Sequence, residues 1–155
     1  MPGADEKRAL YAAGHERVVR AVAGERDAVA RMATAVAVLH GMMPHYYWTG
    51  FYRVVGGELV VGPYQGTPAC LRIALGRGLC GTAWETGETV IVEDVGARPN
   101  HIACDARAAS EIVVPVRGAA GEVVAVLDVD SCRRGAFDAL DREGLERLVA
   151  AVFGC

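Results

Sequence analysis

The stretch 46-YYWTGFYRVVGGELVVGPYQG-66 decides the fold. Its first ten residues are aromatic and β-branched, Gly56-Gly57 interrupts them, and a second β-rich run follows. That is the signature of a hairpin. Upstream the period is helical. In 26-RDAVARMATAVAVLHGMM-43 the residues Val29, Met32, Ala33, Val36 and Leu39 recur at steps of three and four, which builds one apolar stripe. Asp27 is placed as an N-terminal acid, and Gly41 with Pro44 ends the run. From Asp5 to about Val22 the spacing of Leu10, Val18, Val19 and Val22 suits another helix, interrupted at Gly14 and Gly24. Residues 1–4 are expected to fray.

Downstream of the hairpin, 71-LRIAL-75 is a short apolar run that ends in a Gly-rich turn at 76–78. The segment 79-LCGTAWETGE-88 suits one short helix, and Thr89 to Val95 another strand. After the polar segment 96–110, the runs 111-EIVVPVRG-118 and 122-EVVAVLDVDS-131 flank a tight turn at Ala119 to Gly121. The last segment, 138-DALDREGLERLVAAVF-153, opens on an Asp and carries Leu145, Leu148, Val149 and Val152 on one helical face. The pattern predicts an α+β domain: an antiparallel sheet of five or six strands, with helices from both chain ends packed on one face. Segments 66–88 and 96–110 then cover the other face and a ligand pocket beneath them.

The 155 residues suit a single domain spanning 1–155, with helices over about 5–43. Hydrophobic content of 52% against 23% charged excludes a disordered chain. Net charge is −3 with the signs interspersed, so there is no basic stripe to bind nucleic acid. No apolar run has the length of a signal peptide core or a membrane span, which predicts a soluble cytoplasmic protein without a membrane partner. In a reducing compartment a static disulfide framework is not expected. The five cysteines, an odd number, are then inert, metal-binding or reactive. Cys132 and Cys155 are placed as incidental thiols.

Cys70, Cys80 and Cys104 all fall in the middle segments, and three uses fit them. Together with His101 they make a Cys₃His set, although no C-x-x-C pair of the kind usual in structural zinc sites is present. Taken singly, each suits a buried small hydrophobe. Redox chemistry needs an attacking thiolate, a second thiol that resolves the product, and groups that tune the thiol and protonate what leaves. Cys104 is flanked by His101, Asp105 and Arg107, and Glu111 stands at the entrance of the next strand. Asp128 and Asp130 are two apart in a Val- and Leu-rich strand, so they share a face. A solvated strand end would explain that pair without function. If the pair converges with Glu111, like charges resist ionising together, and a carboxyl left protonated near neutral pH serves as a general acid.

These residues carry a resemblance. The segments 48-WTGFY-52, 62-GPYQG-66, 69-ACLRI-73, 76-GRGLCGTA-83, 93-EDV-95, 101-HIACDA-106, 110-SEIVVP-115 and 127-LDVDS-131 resemble those of the free methionine-(R)-sulfoxide reductases, small members of the GAF fold. The likeness runs from about Trp48 to the C-terminal helix and includes the spacings of 10 and 24 residues between the three cysteines. Two departures are a longer turn at 117–122 and the bulky Trp84. The resemblance implies that Cys104 attacks the substrate, Cys70 closes a disulfide with it, and Cys80 is an auxiliary thiol. Glu111, Asp128 and Asp130 match the acids that hold the substrate's amino group and sulfoxide oxygen. Trp48 and Tyr52 match aromatics around the methyl-sulfur group; on their own they would pass for core residues.

The implied activity is thiol-dependent reduction of free L-methionine-(R)-sulfoxide through a cysteine sulfenic acid and an intramolecular disulfide. Its partners are free methionine sulfoxide and a thioredoxin-like reductant fed by NADPH, with no metal or organic cofactor and with a homodimer allowed. The preference for the R epimer rests on the resemblance alone, and either Cys70 or Cys80 could be the main resolving thiol. Two other functions stay open: a sensory GAF module that binds a small ligand, and a peroxide-sensing thiol protein that needs no acids.

Overall fold

A computed structural model describes residues 1–100 and 104–154. His101 and Cys155 lie outside the described residues. The elements are α1 (Ala4–Ala21), α2 (Ala28–Met42), β1 (Trp48–Val55), β2 (Glu58–Gln65), β3 (Arg72–Ile73), α3 (Gly78–Thr86), β4 (Val90–Val92), a 3₁₀ turn (Val95–Ala97), β5 (Ser110–Arg117), β6 (Val123–Ser131) and α4 (Ala139–Phe153). All six strands join one sheet in the order β3-β2-β1-β6-β5-β4, and every neighbouring pair is antiparallel. The β1–β2 turn works because Gly56 and Gly57 take φ of 60° and 83°, a left-handed pair that glycine adopts without strain.

Strand alternation divides the sheet into two apolar faces. Phe51, Ile112, Val114, Leu127 and Val129 pack with Val36 and Leu39 of α2 and Leu145 and Leu148 of α4. Trp48, Tyr52, Val113 and Val126 point the other way, onto Leu79, Cys80 and Ala83 of α3. Both faces are therefore covered, as the order of elements predicts. Phe51 and Leu127 are fully buried, and each such side chain contributes about 1.5–3 kcal/mol.

Several local expectations are corrected. The first helix begins at Ala4, one residue ahead of the expected Asp5, and Pro2 before it is buried. Gly14 is no interruption: α1 runs through it, and it is buried against Met43 and Leu39. The buried stripe of α2 is Met32, Ala35, Val36 and Leu39, whereas Val29 and Ala33 are exposed. Ala33 stands about 100° round the helix from Met32, which turns it off the sheet. The strand expected over 89–95 shrinks to three residues, because Asp94 accepts a hydrogen bond from Gly96 N (3.0 Å) and turns the chain.

A buried polar cluster with no sequence signature ties α1 to α4. Lys7 Nζ donates to Ala136 O (2.9 Å), to Asp138 (3.0 Å) and to Asp141. Asp141 also accepts from Tyr11 Oη (2.7 Å) and pairs with His45 Nε2 at 2.9 Å. Burial alone would raise the Asp141 carboxyl, but the bonds from His45, Lys7, the Asp138 amide and Tyr11 hold it well below the usual carboxylate range. Asp141→Ala takes away the buried carboxylate of the pair and leaves Lys7 only the more exposed Asp138, and the expected loss is about 3 kcal/mol in urea unfolding. Because the folded-state value is depressed, this stabilisation is present above the ordinary carboxyl value of about 4 and lost as pH falls below it. Asp141→Ala should accordingly flatten the acid limb of a stability-against-pH curve.

Candidate active site

Register places the acids. Across β6, Trp48 of β1 faces Asp130, Gly50 faces Asp128 and Tyr52 faces Val126. Across the other edge of β6, Glu111 of β5 faces Asp130 and Val113 faces Asp128. With side chains alternating, Trp48, Tyr52, Glu111, Asp128 and Asp130 stand together on the α3 side of the sheet. Gly50 shares that row, and a side chain there would run into the Trp48 ring and Tyr64. Its absence lets Trp48 stack between Tyr64 (5.2 Å between ring centres) and Tyr52 (6.1 Å). The glycine of W-x-G-F-Y is thus a packing requirement, a signal that sequence reading left unused.

The walls of a cavity rise from this floor. It is lined by Trp48, Tyr52, Glu111, Asp128 and Asp130 from the sheet, Gly78 to Cys80 from α3, Thr67 to Ala69, and Cys104, Asp105 and Ala108. Cys104 is disulfide-bonded to the half-buried Cys70, with Cα atoms 5.6 Å apart across 34 residues of sequence. The sulfurs of Cys70 and Cys104 are therefore engaged with each other here and are not free thiolates for a Cys₃His set. Cys80 is buried and free at the cavity floor; Cys132 is exposed, free and outside the cavity. Trp84 packs half-buried beside this core, and the longer turn at 117–122 lies away from the cavity lining.

Positive charge acts on the acids only weakly: Arg98 lowers the Glu111 carboxyl by less than its acidic neighbours raise it. Among the described residues, no ion pair involves Glu111, Asp128 or Asp130. Burial first, then Asp128 and Asp130, push the Glu111 carboxyl well above its ordinary value. Asp130 is raised in the same way by burial, Asp128 and Asp105. Burial raises Asp128 only to about 6, because the Glu111 carboxyl and Cys80 thiol beside it favour its anion. Burial and mutual repulsion thus favour a shared proton in the cluster, with Glu111 pushed toward its neutral form beside the more readily ionised Asp128. Burial and then the charges of Asp128 and Glu111 push the Cys80 thiol up, away from the thiolate that an attacking cysteine needs.

Asp105, singled out in sequence only as a neighbour of Cys104, anchors the loop. Its carboxylate accepts from Thr67 Oγ1 (2.6 Å), Tyr47 Oη (2.7 Å) and Arg107 N (2.9 Å). The bonds from Thr67, the Arg107 amide and Tyr47, in that order, hold Asp105 far below the usual range. Thr67 in turn accepts on its carbonyl from Trp48 Nε1 (3.0 Å). The segment after Cys104 is therefore tied to the one before Cys70. Asp105→Ala should slow closure of the Cys70–Cys104 disulfide by about 10²-fold, the scale for displacing a reacting group by about 1 Å. Quenched-flow alkylation of free thiols measures it, and an unchanged rate would refute the tie.

A six-stranded antiparallel sheet with helices packed on one face and a covered cavity on the other is the GAF architecture, and the sequence model described as GAF domain matches residues 22–152. The free methionine-R-sulfoxide reductase of Escherichia coli (strain K12) is 43% identical over 129 residues, 83% of this chain and 78% of that protein. The X-ray structure of free methionine-R-sulfoxide reductase from Neisseria meningitidis in complex with its substrate superposes with a TM-score of 0.91 at 43% identity, covering 98% of this chain and 91% of that one. Protein YtsP of Bacillus subtilis (strain 168) is 49% identical over 123 residues, 78% of this chain and 75% of that protein. The chain belongs to the free methionine-R-sulfoxide reductase family of GAF domains.

Proposed function

We propose that the protein reduces free methionine-(R)-sulfoxide to methionine, with Cys104 as the attacking thiolate. The observation that carries this is the meeting, in one cavity, of Cys104 with a carboxyl cluster that makes no ion pair among the described residues. Such a cluster suits an α-ammonium group, which needs carboxylate partners when removed from water. A peptide-linked methionine sulfoxide offers no such charge.

In the reaction, a protonated carboxyl gives its proton toward the sulfoxide oxygen as Cys104 sulfur attacks the sulfoxide sulfur. The S–O bond breaks, methionine leaves, and Cys104 becomes a sulfenic acid, oxidised by the two electrons that the sulfoxide gains. Cys70 thiol then displaces water to form the disulfide, and an external dithiol of the thioredoxin class returns both thiols. The 5.6 Å separation of the Cys70 and Cys104 Cα atoms supports this pairing. Glu111 is the proton donor we favour, and Asp128 with Asp130 the ammonium holders, because Asp128 is the member of the trio with the lowest value. Trp48 and Tyr52 wall the side where the methyl-sulfur group would lie. No organic cofactor enters the scheme.

The test is a thioredoxin-coupled NADPH assay offering separated R and S epimers of free methionine sulfoxide and an N-blocked derivative. Turnover of the free R epimer alone is expected. Equal rates on the blocked derivative would sink the ammonium assignment. No turnover of any sulfoxide, in the presence of ligand binding, would return the chain to the sensory reading.

A further inference from the structure

We propose that the cavity floor is a divalent-metal site, with Cys80, Glu111 and Asp128 as its protein ligands and Zn²⁺ as the ion it suits. The Cys80 sulfur, one Glu111 oxygen and one Asp128 oxygen all lie within 4.8 Å of one another, and all three residues are buried. They come from α3, β5 and β6, so the sheet and the helix packed on it set their spacing. Independently, Asp128 Oδ1 is buried without a hydrogen-bond partner, in a side chain only 6% exposed. An uncompensated carboxylate oxygen beside a thiol and a second carboxyl is a cation acceptor.

One sulfur with two carboxylates matches the mixed ligand set of zinc better than the all-oxygen sets of calcium or magnesium. Tetrahedral Zn–S and Zn–O bonds of about 2.3 and 2.1 Å place the donors about 3.5 Å apart. The trio need contract by no more than about 1.3 Å from its outer limit, toward a charge that removes the mutual repulsion of the two acids. Binding displaces the thiol proton and leaves the fourth position open to the cavity. Cys80 is outside the disulfide, so this site exists in oxidised and reduced protein alike. The Cys₃His set drawn from the sequence needs Cys70 and Cys104 reduced. One consequence rests on the proposed activity: an ion held by Asp128 and Glu111 occupies the place of the substrate's ammonium and inhibits competitively.

The experiment titrates the full-length, disulfide-intact protein with Co²⁺, reads the sulfur-to-cobalt charge-transfer absorption, and then displaces the ion with Zn²⁺. The expected result is about one ion per chain, with a sulfur band in the oxidised protein that Zn²⁺ abolishes. Cys80→Ser should remove the band. Asp128→Asn, which keeps the thiol, should weaken binding by at least the roughly 10–100-fold that loss of an outer-shell partner costs. Cys132→Ser, at an exposed thiol outside the cavity, should leave the band unchanged. A band that survives Cys80→Ser, or that appears only after reduction, overturns the site, as does no band at all. Sulfoxide turnover is a separate readout. Metal binding without turnover removes the proposed activity and keeps the site, and turnover without binding does the reverse.

Discussion

Cys104→Ser yields no methionine from the sulfoxide, even in a single turnover with excess protein. A serine hydroxyl is not ionised at neutral pH and cannot accept the sulfoxide oxygen as a thiolate does in becoming a sulfenic acid, so nothing in the variant can replace the thiolate. Cys80 does not rescue it, because burial and the neighbouring acids keep that thiol protonated. Cys70→Ser behaves differently. It should release about one methionine per chain and then stall until a small thiol is added, since only the step that closes the disulfide is lost. Rapid-quench measurement of methionine against protein separates the two variants. A burst in Cys104→Ser would move the nucleophile to another cysteine. A normal steady state in Cys70→Ser with thioredoxin would make Cys80 the resolving thiol.

The acids should produce the next largest effects. Glu111→Gln removes the proton that the departing oxygen needs, and kcat/KM should fall by roughly 10²–10⁴-fold, the usual range for a general acid. The loss should be similar for free methionine sulfoxide and for a simple dialkyl sulfoxide, because both need the proton. Asp128→Asn should damage the free amino acid far more than the dialkyl sulfoxide, since only the former brings an ammonium. The pH profile follows from the same cluster. Asp128, with a value of about 6, loses its charge as pH falls through that region, and ammonium binding goes with it. Glu111, raised well above its ordinary value by burial and its acidic neighbours, ceases to donate as pH rises through that raised value. A bell is expected, its limbs belonging to the coupled trio, and Glu111→Gln should abolish the alkaline limb. If all three amide variants ran at nearly the wild-type rate, the acids would be a solvated strand end after all. The burial of Glu111 and Asp128 argues against that.

Much of this molecule is determined by sequence alone. The change of period at Tyr46, the Gly56-Gly57 turn and the capping Asp138 name the hairpin and the last helix, because strand and helix periods and turn glycines act locally. The same alternation puts Asp128 and Asp130 on one face before any fold is known. The motif pattern of 69-ACLRI-73, 76-GRGLCGTA-83 and 101-HIACDA-106 names the family. Tertiary structure decided the rest, because it depends on pairing between distant segments. Only strand register shows that Glu111 stands opposite Asp130 and beside Asp128, and only the fold shows that they form no ion pair among the described residues. Only packing distinguishes Cys80, sunk against two carboxyls, from Cys104 at the loop, though in sequence both are single thiols in polar company. The Lys7–Asp141 cluster and the Asp105 tie join residues 134 and 38 positions apart, a range at which no periodicity carries information. What a carboxyl does in this protein is set by how much water and which neighbours the fold leaves it, and burial is a property of the folded chain, not of the residue.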